Sequence, residues 1–386
     1  MKNKFPLAEK PLTNSLGSPS FLERGPAPEG SREVSQPWIR SPRYDGLLIL
    51  APPFLALLLV LLLPAPYRHS AAMPLLAWVA LVVLIDVAHV YGTLFQTYFD
   101  PVRRQQRRLL LWVVPGACYA AGVALHSLGG LVFWRALAYL AVFHFIRQQY
   151  GFLRIYSRHD APAPGRWLTT ALIYYATIYP LLYWHFSPGR NFSWFVEGEF
   201  VQLDWPAGRA IATVLYAGLI AAYVARESWR WWRTRTFNLP RNLLLAGTLV
   251  SWYAGIVLFN GDLTFTLLNV VSHGIPYLAL VWADGPKPAH MPVLARRGAW
   301  AGRYGLAVFL GTVMLFAFLE EGLWDGLVWR EHSTVFGWFQ QLPTVASPAL
   351  LMWLVPLLAL PQSTHYVLDG FIWRRSGPAS RFPPPG

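Results

Sequence analysis

Ten stretches of this chain are apolar for long enough to cross a bilayer as a helix, which takes about 20 apolar residues. They lie near 46–64, 73–98, 109–127, 131–153, 167–186, 209–225, 241–259, 262–283, 301–320 and 348–373. Short polar segments separate them. The pattern predicts an all-α, polytopic membrane bundle of about ten transmembrane helices within residues 45–375. Residues 1–44 are rich in Pro, Ser, Gly and charge and read as a disordered tail. They lack the apolar core and cleavage pattern of a signal peptide. Residues 376–386 read as a second loose tail.

Positive charge alternates from one connection to the next. Arg40 and Arg43 precede the first span. Arg103, Arg104, Arg107 and Arg108 follow the second, and Arg154, Arg158 and Arg166 follow the fourth. Arg226, Arg230, Arg233, Arg235 and Arg241 follow the sixth, and Lys287, Arg296, Arg297 and Arg303 follow the eighth. Arg374, Arg375 and Arg381 close the chain. The intervening connections are poor in positive charge, and two are acidic: Glu197, Glu199 and Asp204 in one, Glu320, Glu321 and Asp325 in the other. The positive-inside rule then places both termini in the cytoplasm. A bacterial inner membrane suits this arrangement. Trp229, Trp231, Trp232, Tyr183 and Trp184 sit near span ends, as interfacial aromatics do.

Composition agrees with lipid as the solvent. Hydrophobic residues make up 55% and charged residues 13%, against about 25% charged in a soluble domain. The net charge of +13 would suggest nucleic acid on a soluble domain. Here topology accounts for it, so the expected partners are membrane lipid and a lipid-soluble small molecule. Cys118 is the sole cysteine, which excludes an intrachain disulfide and a thiolate metal cage. A metal would need histidine and carboxylate ligands.

Ionisable groups in hydrocarbon are costly and therefore candidate functional residues. Four spans carry them near the middle. In the second, Asp86, His89, Thr93 and Gln96 share one helix face. In the fourth, His144, Arg147, Gln148 and Gly151 do so. The eighth carries Asn269 and His273, and the tenth carries Gln362, His365 and Asp369. All four spans are even-numbered and run in the same direction. Each histidine lies about 12–15 Å from the cytoplasmic boundary at 1.5 Å rise per residue. The histidines thus share one layer and converge if their helices are neighbours.

Imidazole suits iron, zinc and copper. His89, His144, His273 and His365 are the candidate metal ligands. Asp86, Asp369 and Arg147 are the candidate catalytic groups, with Asp86 and Asp369 placed to orient rings or move protons. Gln148 and Asn269 would stand beside the cofactor. Plainer roles exist for each. A single intramembrane histidine, Gln148 or Asn269 can be interhelical glue. Arg147 can reach the interface, and Asp369 can pair with Arg374 or Arg147. His69, His126, His159, His185, His290 and His332 read as interface or loop residues.

The segment 365–374, with His365, Tyr366, Asp369, Ile372, Trp373 and Arg374, resembles the closing signature of uncharacterised bacterial multi-span membrane proteins. With His89, His144 and His273 it is similar to the Brp/Blh-type membrane carotene oxygenases. That resemblance implies a non-haem iron held by histidines and an oxygenase acting with dioxygen on a lipid-soluble substrate. Membrane desaturases use H-x-x-x-H and H-x-x-H-H boxes, which this chain lacks. Two further readings stay open: a haem-binding electron-transfer protein with axial histidines, and a transporter with a His/Asp proton or ion relay.

Overall fold

A computed structural model describes residues 36–160, 165–284 and 298–373, with side chains from 305 onward in the last segment. Every regular element among them is helical. The main helices are α1 (Pro42–Leu50), α2 (Pro52–Leu62), α3 (Leu75–Gln96), α4 (Arg108–Ser127), α5 (Gly130–Tyr156), α6 (Arg166–His185), α7 (Pro206–Thr234), α8 (Leu239–Leu258), α9 (Asp262–Asp284), α10 (Gly305–Trp329), α11 (Pro348–Leu358) and α12 (Leu360–Ile372).

Seven of these helices are long and apolar enough to cross a membrane, or eight if α1 and α2, bent by 48° at their junction, count as one span. Two of the ten expected spans fall short of that standard for visible reasons. Helix α6 has the length, but Tyr174, Tyr175, Tyr179 and Tyr183, with Thr169, Thr170 and Thr177, dilute its apolar character. The last expected span, 348–373, breaks at Ala359 into α11 and α12. Pro356 and Pro361 flank that break and remove backbone donors.

Helix α9 is the axis of the bundle. In its apolar window 78% of residues are buried, against 17% for α4 at the periphery. It packs on α2, α3 and α8, while α12 packs on α3, α4 and α5. Apolar clusters close both sides of the centre. Val83, Val87, Phe95, Tyr277, Phe309 and Val313 join α3, α9 and α10. Ala138, Val142, Phe145, Trp252 and Phe265 join α5, α8 and α9.

Several polar residues depart from their sequence reading. Glu320, Glu321 and Asp325, read as an acidic connection, lie inside α10, which runs on past residue 320. Glu320 is buried and accepts the Tyr91 hydroxyl of α3 at 2.6 Å. Asp325 accepts the backbone N–H of Glu331 and His332 and the Gln340 amide. The end of the expected tail is packed as well. Asp45 accepts the backbone N–H of Ile39 and Arg40 and the Tyr156 hydroxyl, and Arg158 holds the Pro37 and Trp38 carbonyls. Tail residues 1–35 and 376–386, together with Lys287, His290, Arg296, Arg297, Arg374, Arg375 and Arg381, lie outside the described residues.

Candidate metal centre

The four histidines meet. His89 comes from α3, His144 from α5, His273 from α9 and His365 from α12, and each is at most 3% exposed. One ring nitrogen from each lies within 4.8 Å of the corresponding atom of all the others. Nε2 of His273 is 3.1 Å from Nε2 of His89 and 3.2 Å from Nε2 of His144. The His365 ring stands 4.5 Å from that of His144 and 5.0 Å from that of His89, centroid to centroid.

Local sequence explains how these helices come so close. Gly274 sits where α9 crosses α3: a Cβ there would lie 2.8 Å from Cγ2 of Ile85 and 3.2 Å from its carbonyl oxygen. Only a residue without a side chain lets the two backbones approach at that point, one residue from His273. Pro276, inside α9, removes a backbone donor one turn further on. In α3 the wide π turns of Val79–Val87 end just before His89, a device common at functional sites.

Proton counting favours a cation at the convergence. A neutral imidazole has one N–H and one acceptor nitrogen. Nε2 of His273 faces two other Nε2 atoms, yet it can serve only one of those contacts, as donor or as acceptor. Nε2 of His365 is buried with no hydrogen-bond partner among the described residues. A metal ion uses all four lone pairs at once. Tetrahedral nitrogens about 2.0–2.1 Å from a metal stand about 3.3–3.4 Å apart, and cis octahedral ones about 3 Å apart. The two separations at Nε2 of His273, 3.1 and 3.2 Å, fall between these values, and all four atoms lie within 4.8 Å of one another.

The outer side of the rings carries the carboxylates. Asp86 Oδ1 is 3.6 Å from Nδ1 of His89. Asp369 stands between two rings, 3.8 Å from Nδ1 of His144 and 3.8 Å from Nδ1 of His365. Two carboxylates balance the charge of one divalent cation, which is what burial in a low-dielectric bundle demands.

One hydrogen-bond chain sets a tautomer. Asp369 accepts the Tyr277 hydroxyl at 2.8 Å. Tyr277 has then spent its proton, so Thr93, 2.9 Å away, donates to it. Thr93 in turn accepts from Nδ1–H of His365 at 2.6 Å. That chain leaves the Nε2 lone pair of His365 facing its three neighbours. Phe145 stacks on His273 at 3.5 Å and 8°, and Tyr366 lies 5.0 Å from the His144 ring, closing the layer with aromatic surface.

The other sequence candidates divide. Gln148 donates to the His273 carbonyl at 3.0 Å and so braces α5 against α9 beside the centre. Asn269 donates to the Phe265 carbonyl of its own helix. Arg147 turns away from the histidines. It is exposed, donates to the Tyr174 hydroxyl at 2.6 Å and lies over the Tyr150 ring. Sequence reading missed Tyr277, whose signal was its place four residues after His273. It missed Glu320 because a charge at the edge of an apolar window looks like a loop residue.

The fold and site together define an all-helical, membrane-type bundle with a buried four-histidine group able to hold a metal ion. No family profile matches the chain, and neither a curated protein nor a solved structure shows significant similarity to it.

Proposed function

We propose that this protein is a membrane-embedded, metal-dependent oxidoreductase, in its narrower form an oxygenase, acting on a lipid-soluble substrate. His89, His144, His273 and His365 hold one divalent transition metal, with iron as the leading candidate. The observation that carries this reading is the convergence of four buried imidazoles from four helices. A donor set of neutral nitrogens suits iron, copper, nickel and zinc. Rings in mutual contact favour a bare ion over haem, whose macrocycle needs a slab of space between its two axial ligands.

When bound, a redox-active metal supplies one-electron chemistry, with dioxygen as the co-substrate that the carotene-oxygenase resemblance implies. The chain does the rest. Thr93, Tyr277 and Asp369 hold His365 in its ligating tautomer. Asp86 and Asp369 balance the cation from 3.6–3.8 Å outside the rings. Phe145 and Tyr366 exclude water. Ten spans with both termini in the cytoplasm of a bacterial inner membrane complete the proposal, with α6 and the α11–α12 pair counted as spans. Alternating arginines support that topology.

The test is elemental analysis of protein purified in mild detergent, with an absorption spectrum on the same sample. The reading expects about one iron per chain and no Soret band. Alanine at any of the four histidines then lowers bound metal to about a tenth or less. Full retention of metal in all four single variants would sink the proposal. A Soret band would install haem instead, and metal-free protein that moves a solute across vesicles would install a transport relay.

A further inference from the structure

A second polar site lies away from the histidines, where the ends of α5 and α7 meet the beginnings of α6 and α8. A cavity of about 260 Å³ there is lined by Arg154, Arg166, Arg226, Arg230, Arg233 and Arg241. Two carboxylates serve these six guanidinium groups. Glu227 pairs with Arg226 at 2.8 Å, with Arg230 at 3.1 Å and also with Arg241. Asp160 pairs with Arg241 at 2.5 Å. Arg154 and Arg166 have no carboxylate partner among the described residues, and Arg233 lies over the Trp229 ring.

The imbalance extends to individual atoms. Arg241 is 2% exposed, and its Nε is buried without an acceptor. Nε of Arg230 is likewise buried without one. A buried donor left unsatisfied costs about 1–3 kcal/mol, and clustered like charges add to that cost. This cavity has an excess of four positive charges and donors to spare.

The matching ligand carries at least two negative charges and several acceptor oxygens on one centre. Guanidinium forks fit phosphate oxygens two at a time. Trp229 also lines the cavity and is 47% exposed. Exposed tryptophans at a helix end mark the depth of lipid headgroups. We propose that this cavity binds a phosphate group, carried by an anionic phospholipid headgroup or by free phosphate. The site is independent of the metal reading and stands whether or not the histidines hold an ion.

The test uses the full chain, delipidated in mild detergent, and reads its thermal unfolding midpoint. Inorganic phosphate is one probe. Phosphatidic acid in the micelle is the other, with phosphatidylcholine as the neutral comparison. The Arg154→Gln/Arg166→Gln variant removes two cavity charges that hold no carboxylate. Arg104→Gln/Arg108→Gln removes two exposed charges elsewhere and controls for net charge. Wild type and control gain a few degrees from one probe, and the cavity variant needs about tenfold more of it for half the effect. Stabilisation by inorganic phosphate names a free phosphate, and stabilisation by phosphatidic acid alone names the headgroup. No stabilisation by either probe, or an equal response from the cavity variant and wild type, would overturn the proposal.

Discussion

At the histidine centre ring nitrogens converge on one another, whereas at the arginine cavity N–H donors outnumber acceptors. Nε2 of His365 is buried without a partner in the first region, and Nε of Arg230 and of Arg241 in the second. Each set of unmatched atoms specifies a ligand of the opposite kind, a cation in one place and an anion in the other. Depth follows from the same chemistry. Imidazole is neutral when deprotonated and can be carried to the middle of a bundle, with carboxylates nearby to balance the ion it binds. Guanidinium stays charged, so it is tolerable only where a helix end gives access to headgroups and water.

The comparison predicts that the two regions fail separately. His273→Ala removes the ring that contacts two others and lowers bound metal the most, to a tenth of wild type or less, about tenfold or beyond. The Arg154→Gln/Arg166→Gln variant keeps its metal in full. Elemental analysis of both proteins side by side decides the matter, and metal loss in the arginine variant would erase the distinction between the regions.

Next in size are the carboxylates. Asp369→Asn leaves a hydrogen-bond acceptor for Tyr277 but removes the charge lying between two rings. Outer-shell partners of metal-bound histidine are worth about 10–100-fold in metal affinity, and that range is expected here. Asp86→Asn costs less, because Asp86 faces a single ring and its side chain is 32% exposed, against 8% for Asp369. Competition with a chelator of known affinity ranks the two. A larger loss from Asp86→Asn would mean that charge balance at the centre is misassigned.

Gly274→Ala tests the close approach itself. The added methyl meets the Ile85 carbonyl, a backbone atom that cannot rotate away. Overpacking of this kind costs about 1–3 kcal/mol, and here it separates His273 from His89. Metal affinity is expected to fall about tenfold with a matching fall in unfolding midpoint. Unchanged affinity in a destabilised protein would show that α9 and α3 give way elsewhere.

The histidine layer was legible in the sequence because two numbers carry it: a fixed rise per residue sets depth, and a fixed period sets the face. His89, His144, His273 and His365 needed nothing more. The partners of those rings were harder to read. Asp86 is local to His89, but Asp369 reaches His144 on another helix, and Tyr277 joins Asp369 across 92 positions of sequence. Arg147 shares a helix face with His144 at the level of pattern, yet its long side chain leaves that face for Tyr174. The break at Ala359 hid because the apolar α11 runs directly into α12, so a hydropathy window sees one span. The arginine cavity hid because the positive-inside pattern had already accounted for its residues. Their shared shortage of acceptors exists only after Asp160 and Glu227 are in place.

The smallest predicted effect probes the tautomer of one ring. In wild type the Tyr277 hydroxyl donates to Asp369, so Thr93 must donate to Tyr277 and accept from Nδ1 of His365. Tyr277→Phe deletes the middle of that chain. The Thr93 hydroxyl is then free to donate to Nδ1 of His365, which moves the ring proton to Nε2 and opposes metal binding. One neutral hydrogen bond is worth about 1 kcal/mol, so affinity is expected to fall about fivefold, with little change in the other three ligands. Thr93→Val in the Tyr277→Phe background removes the competing donor and should not weaken binding further. An additive loss in the double variant would show that both hydroxyls act through packing, and that the proton on His365 is fixed by Asp369 alone.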